Sequence, residues 1–245
     1  MKFGLIGYPL SHSFSQKYFT DKFTSLNMPH TYHNFEITES QLPNFIETND
    51  LNGFNVTIPY KERIIPFLNS ISEDAKEIGA VNCVKVIKKN RQRFLKGFNT
   101  DWIGFSVSLQ KNLSSPHNKA LILGYGGAAK AVAFALKKIQ IPFTVVSRKN
   151  NCLSYQEITK DIMLQHNIII NTTPLGMFPN IKQTPPIPYE YLNSRHILYD
   201  LIYNPAETLF LQEGKKRGCI VKNGLEMLEI QAEESFKIWT DENIH

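Results

Sequence analysis

Apolar and polar positions along this 245-residue chain alternate between two periods, and each change of period marks an element. Short apolar runs bounded by Gly, Pro or polar residues predict strands at 3–6, 31–37, 53–58, 143–146, 168–171 and 196–201. Residues 81–87 and 93–98 read as a hairpin around the basic turn Lys88-Lys89-Asn90-Arg91. Helical spacing fills the gaps. Ser15 reads as the cap of a helix reaching about Asn27, with Tyr18, Phe19, Phe23 and Leu26 on one face. Thr38 opens a helix carrying Leu42, Phe45 and Ile46, and 62–68 and 73–78 are helical. From Asp101 the apolar positions are Trp102, Phe105, Leu109 and Leu113, and Ser114-Ser115-Pro116 breaks the pattern. From Ala128 they are Ala131, Val132, Ala135, Leu136 and Ile139. After Gly224 a final amphipathic helix carries Leu225, Leu228, Ala232, Phe236 and Trp239. The stretch 179–188 is proline-rich and reads as a surface loop.

The first hundred residues therefore mix strands and helices as an α/β module of their own. Beyond residue 101 strand and helix alternate, the order of a parallel, doubly wound sheet. The last helix needs a surface to cover, and the first module offers one.

Composition narrows the function classes. A net charge of +5 suits anionic small molecules, and the basic residues are too dispersed for a nucleic-acid platform. The three cysteines lie far apart and show no metal-ligand spacing, which fits a reducing compartment without a zinc site or disulfide framework. The apolar run at the N-terminus is too short for a signal peptide, and no stretch reaches the ~18 apolar residues of a membrane span. A cytoplasmic protein without membrane partners is expected.

The densest chemical signal is Gly124-Tyr125-Gly126-Gly127-Ala128-Ala129, which follows an apolar run and precedes a small-residue helix start. Such a G-x-G-x-x-A turn lets backbone approach a pyrophosphate, and the helix N-terminus offers it free N–H groups. The same turn also serves simply to close a strand–helix unit. The next strand ends Ser147-Arg148-Lys149. An acid there would bond the ribose 2′-hydroxyl of NAD, whereas Arg holds a 2′-phosphate bidentately. Two cations and no carboxylate favour NADP(H), against the plainer reading of solvated loop charges.

Three further polar stretches stand out: Asn55-Val-Thr57-Ile-Pro59-Tyr-Lys61, Gly79-Ala-Val-Asn82 and Asn99-Thr100-Asp101. Each has a plain structural reading, with Asp101 as an N-cap, Lys61 as a surface lysine and Asn82 as a turn residue. Spacing alone does not decide between these and catalysis.

Taken together and in order, these segments resemble the shikimate dehydrogenase family over nearly the whole chain. Gly7-Tyr-Pro9-Leu-Ser-His12-Ser13-Phe-Ser15 resembles the family's substrate loop, and the segment ending in Lys61 its lysine motif. The glycine turn resembles its nucleotide loop. Asn171-Thr-Thr-Pro-Leu-Gly176-Met, Tyr199-Asp200-Leu201-Ile-Tyr203-Asn-Pro205 and the segment from Asn223 to Gln231 complete the set. Gln16, Tyr125 and Ser147 depart from the residues the family often carries there, which are Pro, Ala and Asn.

The resemblance implies reversible NADPH-linked reduction of 3-dehydroshikimate to shikimate, in the route to chorismate and the aromatic amino acids. It implies Lys61 and Asp101 as the catalytic pair. Ser13 and Ser15 would hold the substrate carboxylate, and Thr57, Lys61, Asn82, Asp101, Tyr203 and Gln231 its other polar groups. The cofactor would be held by Gly124, Tyr125, Gly126, Gly127, Ala128, Ser147, Arg148 and Lys149, with Leu201 and Gly224 near the nicotinamide and Glu73 on the cofactor side. His12 reads as structural, and no metal is implied.

The expected architecture is α/β. Residues 1–101 and 224–245 form a substrate domain completed by the C-terminal helix, and 102–223 form a Rossmann-type NADP-binding domain, with the active site in the cleft between them. The partner is a small molecule, and the chain is a monomer or homodimer. Two alternatives are an NAD-using quinate/shikimate dehydrogenase and a non-catalytic nucleotide-binding regulator. The missing acid near Ser147 counts against the first, and retention of both Lys61 and Asp101 against the second.

Overall fold

The computed structural model describes residues 1–10, 14–90, 92–113, 118–149 and 151–244. These fall into two compact units, Met1–Thr100 with Ala232–His245, and Asp101–Gln231. The expected split gave the whole of 224–245 to the first unit. In the structure residues 224–231, and Asp101 as well, cluster with the second unit, where Met227 is buried in the core and Glu226 pairs with Lys111 and Lys222.

The first unit holds a mixed sheet in the order β2-β1-β3-β5-β6-β4. The strands are β1 (Lys2–Gly7), β2 (Thr31–Glu36), β3 (Gly53–Val56), β4 (Ser70–Ile71), β5 (Cys83–Lys89) and β6 (Gln92–Phe98). β1 runs parallel to β2 and β3, while β5 is antiparallel to both β3 and β6. Reversal of β5 brings its start level with the ends of its neighbours, since Cys83 lies opposite both Asn55 and Phe98. The sequence pattern misses β4, which is two residues long and half-buried.

Helix α1 (Phe14–Ser25) covers β1 and β2 with the buried faces of Phe19 and Phe23. It already includes Phe14, so Ser15 lies within the helix rather than before it as a cap. Thr38 caps a single 3₁₀ turn that leads into α2 (Leu42–Thr48). The stretch expected as one helix over 62–68 is a short α3 (Tyr60–Arg63) followed by a 3₁₀ turn at Ile65–Phe67, because Pro66 has no N–H to continue the ladder. Helix α4 (Glu73–Ile78) is capped by Ser72, whose Oγ accepts from the Ala75 N–H at 3.3 Å.

The second unit is a parallel sheet in the order β11-β10-β9-β7-β8. Its strands are β7 (Ala120–Leu123), β8 (Phe143–Val146), β9 (Ile168–Asn171), β10 (Ile197–Asp200) and β11 (Ile220–Lys222). β7, β9 and β10 are buried on both faces, which is why they read as continuous apolar runs. The edge strand β11 is short and partly exposed, and the sequence pattern gave no sign of it. Helices α5 (Asp101–Gln110), α6 (Gly127–Lys138), α7 (Lys160–Gln165) and α8 (Leu209–Lys216) flank the sheet. Among the described residues no helix is long and apolar enough to cross a membrane.

Helix α9 (Leu225–Thr240) ends the chain. Of the expected stripe, Ala232 and Trp239 are buried, Leu228 and Phe236 half-buried and Leu225 exposed, while Met227, Gln231 and Ser235 join the buried line. In the first unit Trp239 stacks on Phe3 with ring centroids 4.7 Å apart, and its indole N–H donates to the Val84 carbonyl at 3.0 Å. Gly53 is required beneath that indole, since any Cβ there would overlap the ring.

Candidate active site

In the first unit one sheet edge collects the polar residues. The ends of β1, β3 and β6 and the start of β5 all reach it. Asn82 precedes β5 and is buried. Its Nδ2 donates to Thr100 Oγ1 at 3.0 Å, and the Thr100 N–H donates to Asn82 Oδ1 at 2.6 Å. Thr100 Oγ1 lies 3.2 Å from Ser235 Oγ on α9. Asn55 Nδ2 donates to Ser235 Oγ at 2.9 Å and to the Asn82 carbonyl at 3.2 Å, and Tyr32 Oη donates to Asn55 Oδ1 at 2.9 Å. Burial raises the Tyr32 phenol well above its usual pKa, against a smaller opposing effect of a hydrogen bond with Ser15. Ser15, Tyr32, Asn55, Asn82, Thr100 and Ser235 thus form one buried, hydrogen-bonded chain. A buried polar network of this kind fixes side chains in one arrangement.

Lys61 stands in α3, directly after the turn that leaves β3. Its carbonyl accepts from the Val81 N–H at 2.7 Å, which ties the lysine's backbone to the residue preceding Asn82. Thr57 donates its N–H to the Ile6 carbonyl at 2.9 Å and accepts from Tyr60 N–H at 2.9 Å. Gly7 leaves room for the Thr57 methyl group, which a Cβ would meet at 2.5 Å. Thr57, Lys61, Asn82 and Ser15 therefore share one edge of one unit. Ser13 and His12 lie outside the described residues.

Asp101, Tyr203 and Gln231 belong to the second unit. Asp101 is buried at the start of α5, the residue after Thr100. One turn on, Gly104 permits α5 to approach α9, where a Cβ would come within 2.5 Å of the Met227 carbonyl and 3.2 Å of Gln231 Cβ. Gln231 is buried and donates from Nε2 to the Leu228 carbonyl at 2.9 Å.

The cofactor candidates of the second unit gather at its sheet edge. Leu123 is level with Val146 and Asn171, and Asn171 with Asp200, so four parallel strands deliver their following loops to the same side. β7 is the strand at which the winding reverses, and ligands of such sheets bind at this carboxyl edge. Gly124 adopts φ +118°, a conformation that L side chains rarely take, and a Cβ there would meet Thr172 Oγ1 at 2.5 Å. Gly126 precedes α6 and opens to free space on the side where a Cβ would point. The first N–H groups of α6, from Gly127 and Ala128, lack intrahelical partners and suit an anion.

Ser147 is buried after β8, and its Oγ accepts from the Lys149 N–H at 2.9 Å. Arg148 and Lys149 are exposed, and Lys149 Nζ lies 4.5 Å from the Tyr125 ring centroid. An open glycine cradle with two neighbouring cations and no acid fits a phosphorylated dinucleotide. Leu201 and Gly224 also meet, since a Cβ on Gly224 would overlap the Leu201 carbonyl and the Gly224 N–H donates to the Ile202 carbonyl at 3.0 Å. Glu73 is exposed at the start of α4 and belongs to the first unit. Among the described residues no cluster of three or more His, Cys, Asp or Glu is arranged to hold a metal ion.

A polar cluster that motif spacing does not reveal lies beneath this edge. Asp200 is fully buried and accepts from Asn171 Nδ2 at 3.0 Å, the Ile202 N–H at 3.1 Å and Thr208 Oγ1 at 2.6 Å. Burial pushes its carboxyl pKa up to about 6, with these hydrogen bonds opposing. It joins the loops after β9 and β10 to the cap of α8. The signal was present as Asn171, Asp200 and Thr208 in and beside the quoted segments, but only the fold brings the three together.

Comparison with known proteins identifies the family. A family model described as the shikimate dehydrogenase substrate binding domain matches residues 5–84. A Staphylococcus haemolyticus protein named shikimate dehydrogenase (NADP(+)) is 40% identical over 98% of this chain and 92% of its own length. The crystal structure of shikimate dehydrogenase 1 from Peptoclostridium difficile is 37% identical, with a TM-score of 0.86 over 100% of this chain and 93% of that one. A Thermus thermophilus shikimate 5-dehydrogenase, solved with NADP(H) and shikimate, is 30% identical, with a TM-score of 0.86 over 98% of this chain and 93% of that one. With similarity of this degree running nearly from end to end in both sequence and fold, the chain belongs to the shikimate dehydrogenase family.

Proposed function

We propose that this chain is an NADP(H)-dependent shikimate dehydrogenase, an oxidoreductase that interconverts 3-dehydroshikimate and shikimate on the route to chorismate. The observation that carries the reading is near-full-length identity to relatives named for this reaction, 40% over 98% of the chain in one case. The open glycine loop and the acid-free Ser147-Arg148-Lys149 turn support NADP(H) over NAD(H).

NADPH, when bound, supplies the hydride. The chain's own residues then deal with the oxygen. As the ring carbonyl is reduced, negative charge builds on its oxygen, and the Lys61 ammonium stabilises that charge and donates the proton. In the reverse direction the amine takes the proton back from the hydroxyl. Asp101 orients the lysine and accepts from a substrate hydroxyl. Ser13 and Ser15 bond the carboxylate, and Thr57, Asn82, Tyr203 and Gln231 bond the remaining polar groups. The unit of residues 1–100 with 232–245 acts mainly as the substrate domain and that of 101–231 mainly as the nucleotide domain. Gly124 to Ala128 take the pyrophosphate, Ser147 to Lys149 the 2′-phosphate, and Leu201 and Gly224 border the nicotinamide. Glu73 is assigned to the cofactor side by family pattern alone. The cysteines are free, which supports a reducing, cytoplasmic setting. The protein acts as a monomer or homodimer, which light scattering distinguishes.

The deciding assay follows NADPH absorbance with shikimate or quinate as substrate and NADP⁺ or NAD⁺ as acceptor. Turnover of shikimate with NADP⁺ is expected to dominate. No activity with that pair would overturn the reading, and a clear preference for quinate with NAD⁺ would replace it.

A further inference from the structure

Tyr125 sits inside the glycine loop, where a small residue would leave the backbone equally free, and it remains 44% exposed. Burial therefore gives little account of its ring. Its neighbour does. Lys149 Nζ stands 4.5 Å from the ring centroid, within the range of a cation–π attraction. Both loops are held by their own hydrogen bonds. The Gly124 N–H donates to the Val146 carbonyl at 2.9 Å, the Ser147 N–H to the Leu153 carbonyl at 2.9 Å and the Lys149 N–H to Ser147 Oγ at 2.9 Å. The backbone of both loops is thus fixed, which leaves the lysine's four-carbon stem to be restricted by the ring.

We propose that Tyr125 is a specificity-determining residue, whose ring holds the Lys149 ammonium in place as a second reader of the cofactor's 2′-phosphate beside Arg148. The proposal rests on the assignment of this edge to NADP(H). The means of holding matters. A carboxylate partner would fix the lysine equally well, but it would cancel the charge and repel the phosphate. An aromatic face attracts the ammonium and leaves its charge available. Among the described residues neither Arg148 nor Lys149 is ion-paired to an acid. Arg148 lies near enough to Tyr155 to act on it by charge: the phenol is pushed up by burial and drawn partly back by the guanidinium.

An attraction of this kind at an exposed site corresponds to about a two- to five-fold change in affinity. The test is calorimetric titration of the intact protein with NADP⁺ and NAD⁺, without substrate, for Tyr125→Ala, Tyr125→Phe, Lys149→Ala and the Tyr125→Ala/Lys149→Ala double variant. Tyr125→Ala is expected to weaken NADP⁺ about two- to five-fold and to leave NAD⁺ unchanged. Tyr125→Phe keeps the ring face and is expected to bind like the unaltered protein. The double variant is expected to be no weaker toward NADP⁺ than Lys149→Ala alone. Equal weakening of both cofactors by Tyr125→Ala, no weakening of NADP⁺, or additive losses in the double variant would each overturn the proposal. If the unaltered protein bound both cofactors equally, the underlying NADP(H) assignment would fall with it. An NADP⁺ preference that survives Tyr125→Ala in full would remove the proposal alone.

Discussion

Asn82 and Thr100 grip each other twice, once through the Asn82 amide onto the threonine hydroxyl and once through the Thr100 N–H onto the Asn82 oxygen. One residue precedes β5 and the other follows β6, so the pair fastens the two strands at the polar edge. Thr100→Val keeps the shape and deletes the hydroxyl that meets Asn82 and Ser235. A loss of about 1–3 kcal/mol in unfolding free energy is expected, because buried polar groups lose a partner. KM for shikimate should rise as well. Unchanged values of both in denaturant titration and steady-state kinetics would show that the network positions nothing.

Lys61→Ala tests the proton donor. General acid–base groups typically contribute about 10²–10⁴-fold, so kcat is expected to fall by that order while KM changes only a few-fold. A variant that turned over normally would exclude the lysine from proton transfer.

Arg148→Ala addresses the phosphate turn. A charge-assisted bidentate contact is worth about 1.5–3 kcal/mol, so Kd for NADP⁺ should rise roughly ten- to a hundred-fold. NAD⁺ should bind much as before. Equal losses for the two cofactors would place Arg148 elsewhere on the nucleotide.

Asp200 should make stability fall with rising pH. Its carboxyl ordinarily titrates at 3.8 and is raised to about 6 by burial, so between those values the folded chain binds the extra proton. The stabilisation is complete below pH 3.8 and is lost as pH rises through about 6. The full difference is at most about 3 kcal/mol. Asp200→Asn should flatten that part of the curve in urea titrations across this window. An identical slope in variant and parent would contradict the assignment.

Glu226 behaves in the opposite sense. Lys111 and Lys222 both pair with it and hold its carboxyl down at about 2 from an ordinary 4.5. Its contribution is present above pH 4.5 and is lost as pH falls toward 2. Because the pairs are partly solvated, Glu226→Gln should cost only about 1 kcal/mol at neutral pH, and less in high salt. A loss that did not respond to salt would point to packing rather than charge.

What was legible in the sequence follows burial. β7, β9 and β10 lie between helices, so runs such as Ala120-Leu-Ile-Leu123 announce themselves. The edge strands β4 and β11 are too short and too exposed to carry a period. Part of the buried line of α9 escaped for another reason. Gln231 and Ser235 are buried as polar groups because Ser235 completes bonds to Asn55 and Thr100, and a hydrophobic period does not register such positions. The glycine turn and its cations were readable because strand, turn and spacing are local. The Asp200 cluster was not, because Asn171 lies on a different strand from Asp200, Thr208 lies beyond the loop that follows it, and the three meet only at the sheet edge.

The seating of Trp239 between Phe3 and Gly53 has a consequence for synthesis on the ribosome. Strand β1 is covered by a side chain translated only after the whole of the second sheet. Until residues 232–240 leave the exit tunnel, β1 keeps a bare aromatic face, whereas the parallel sheet of 120–222 already has its strands. The first unit thus completes its core only after the strands of the second sheet are made, and a message truncated within α9 yields a nascent chain with Phe3 and Phe19 exposed to chaperones and proteases.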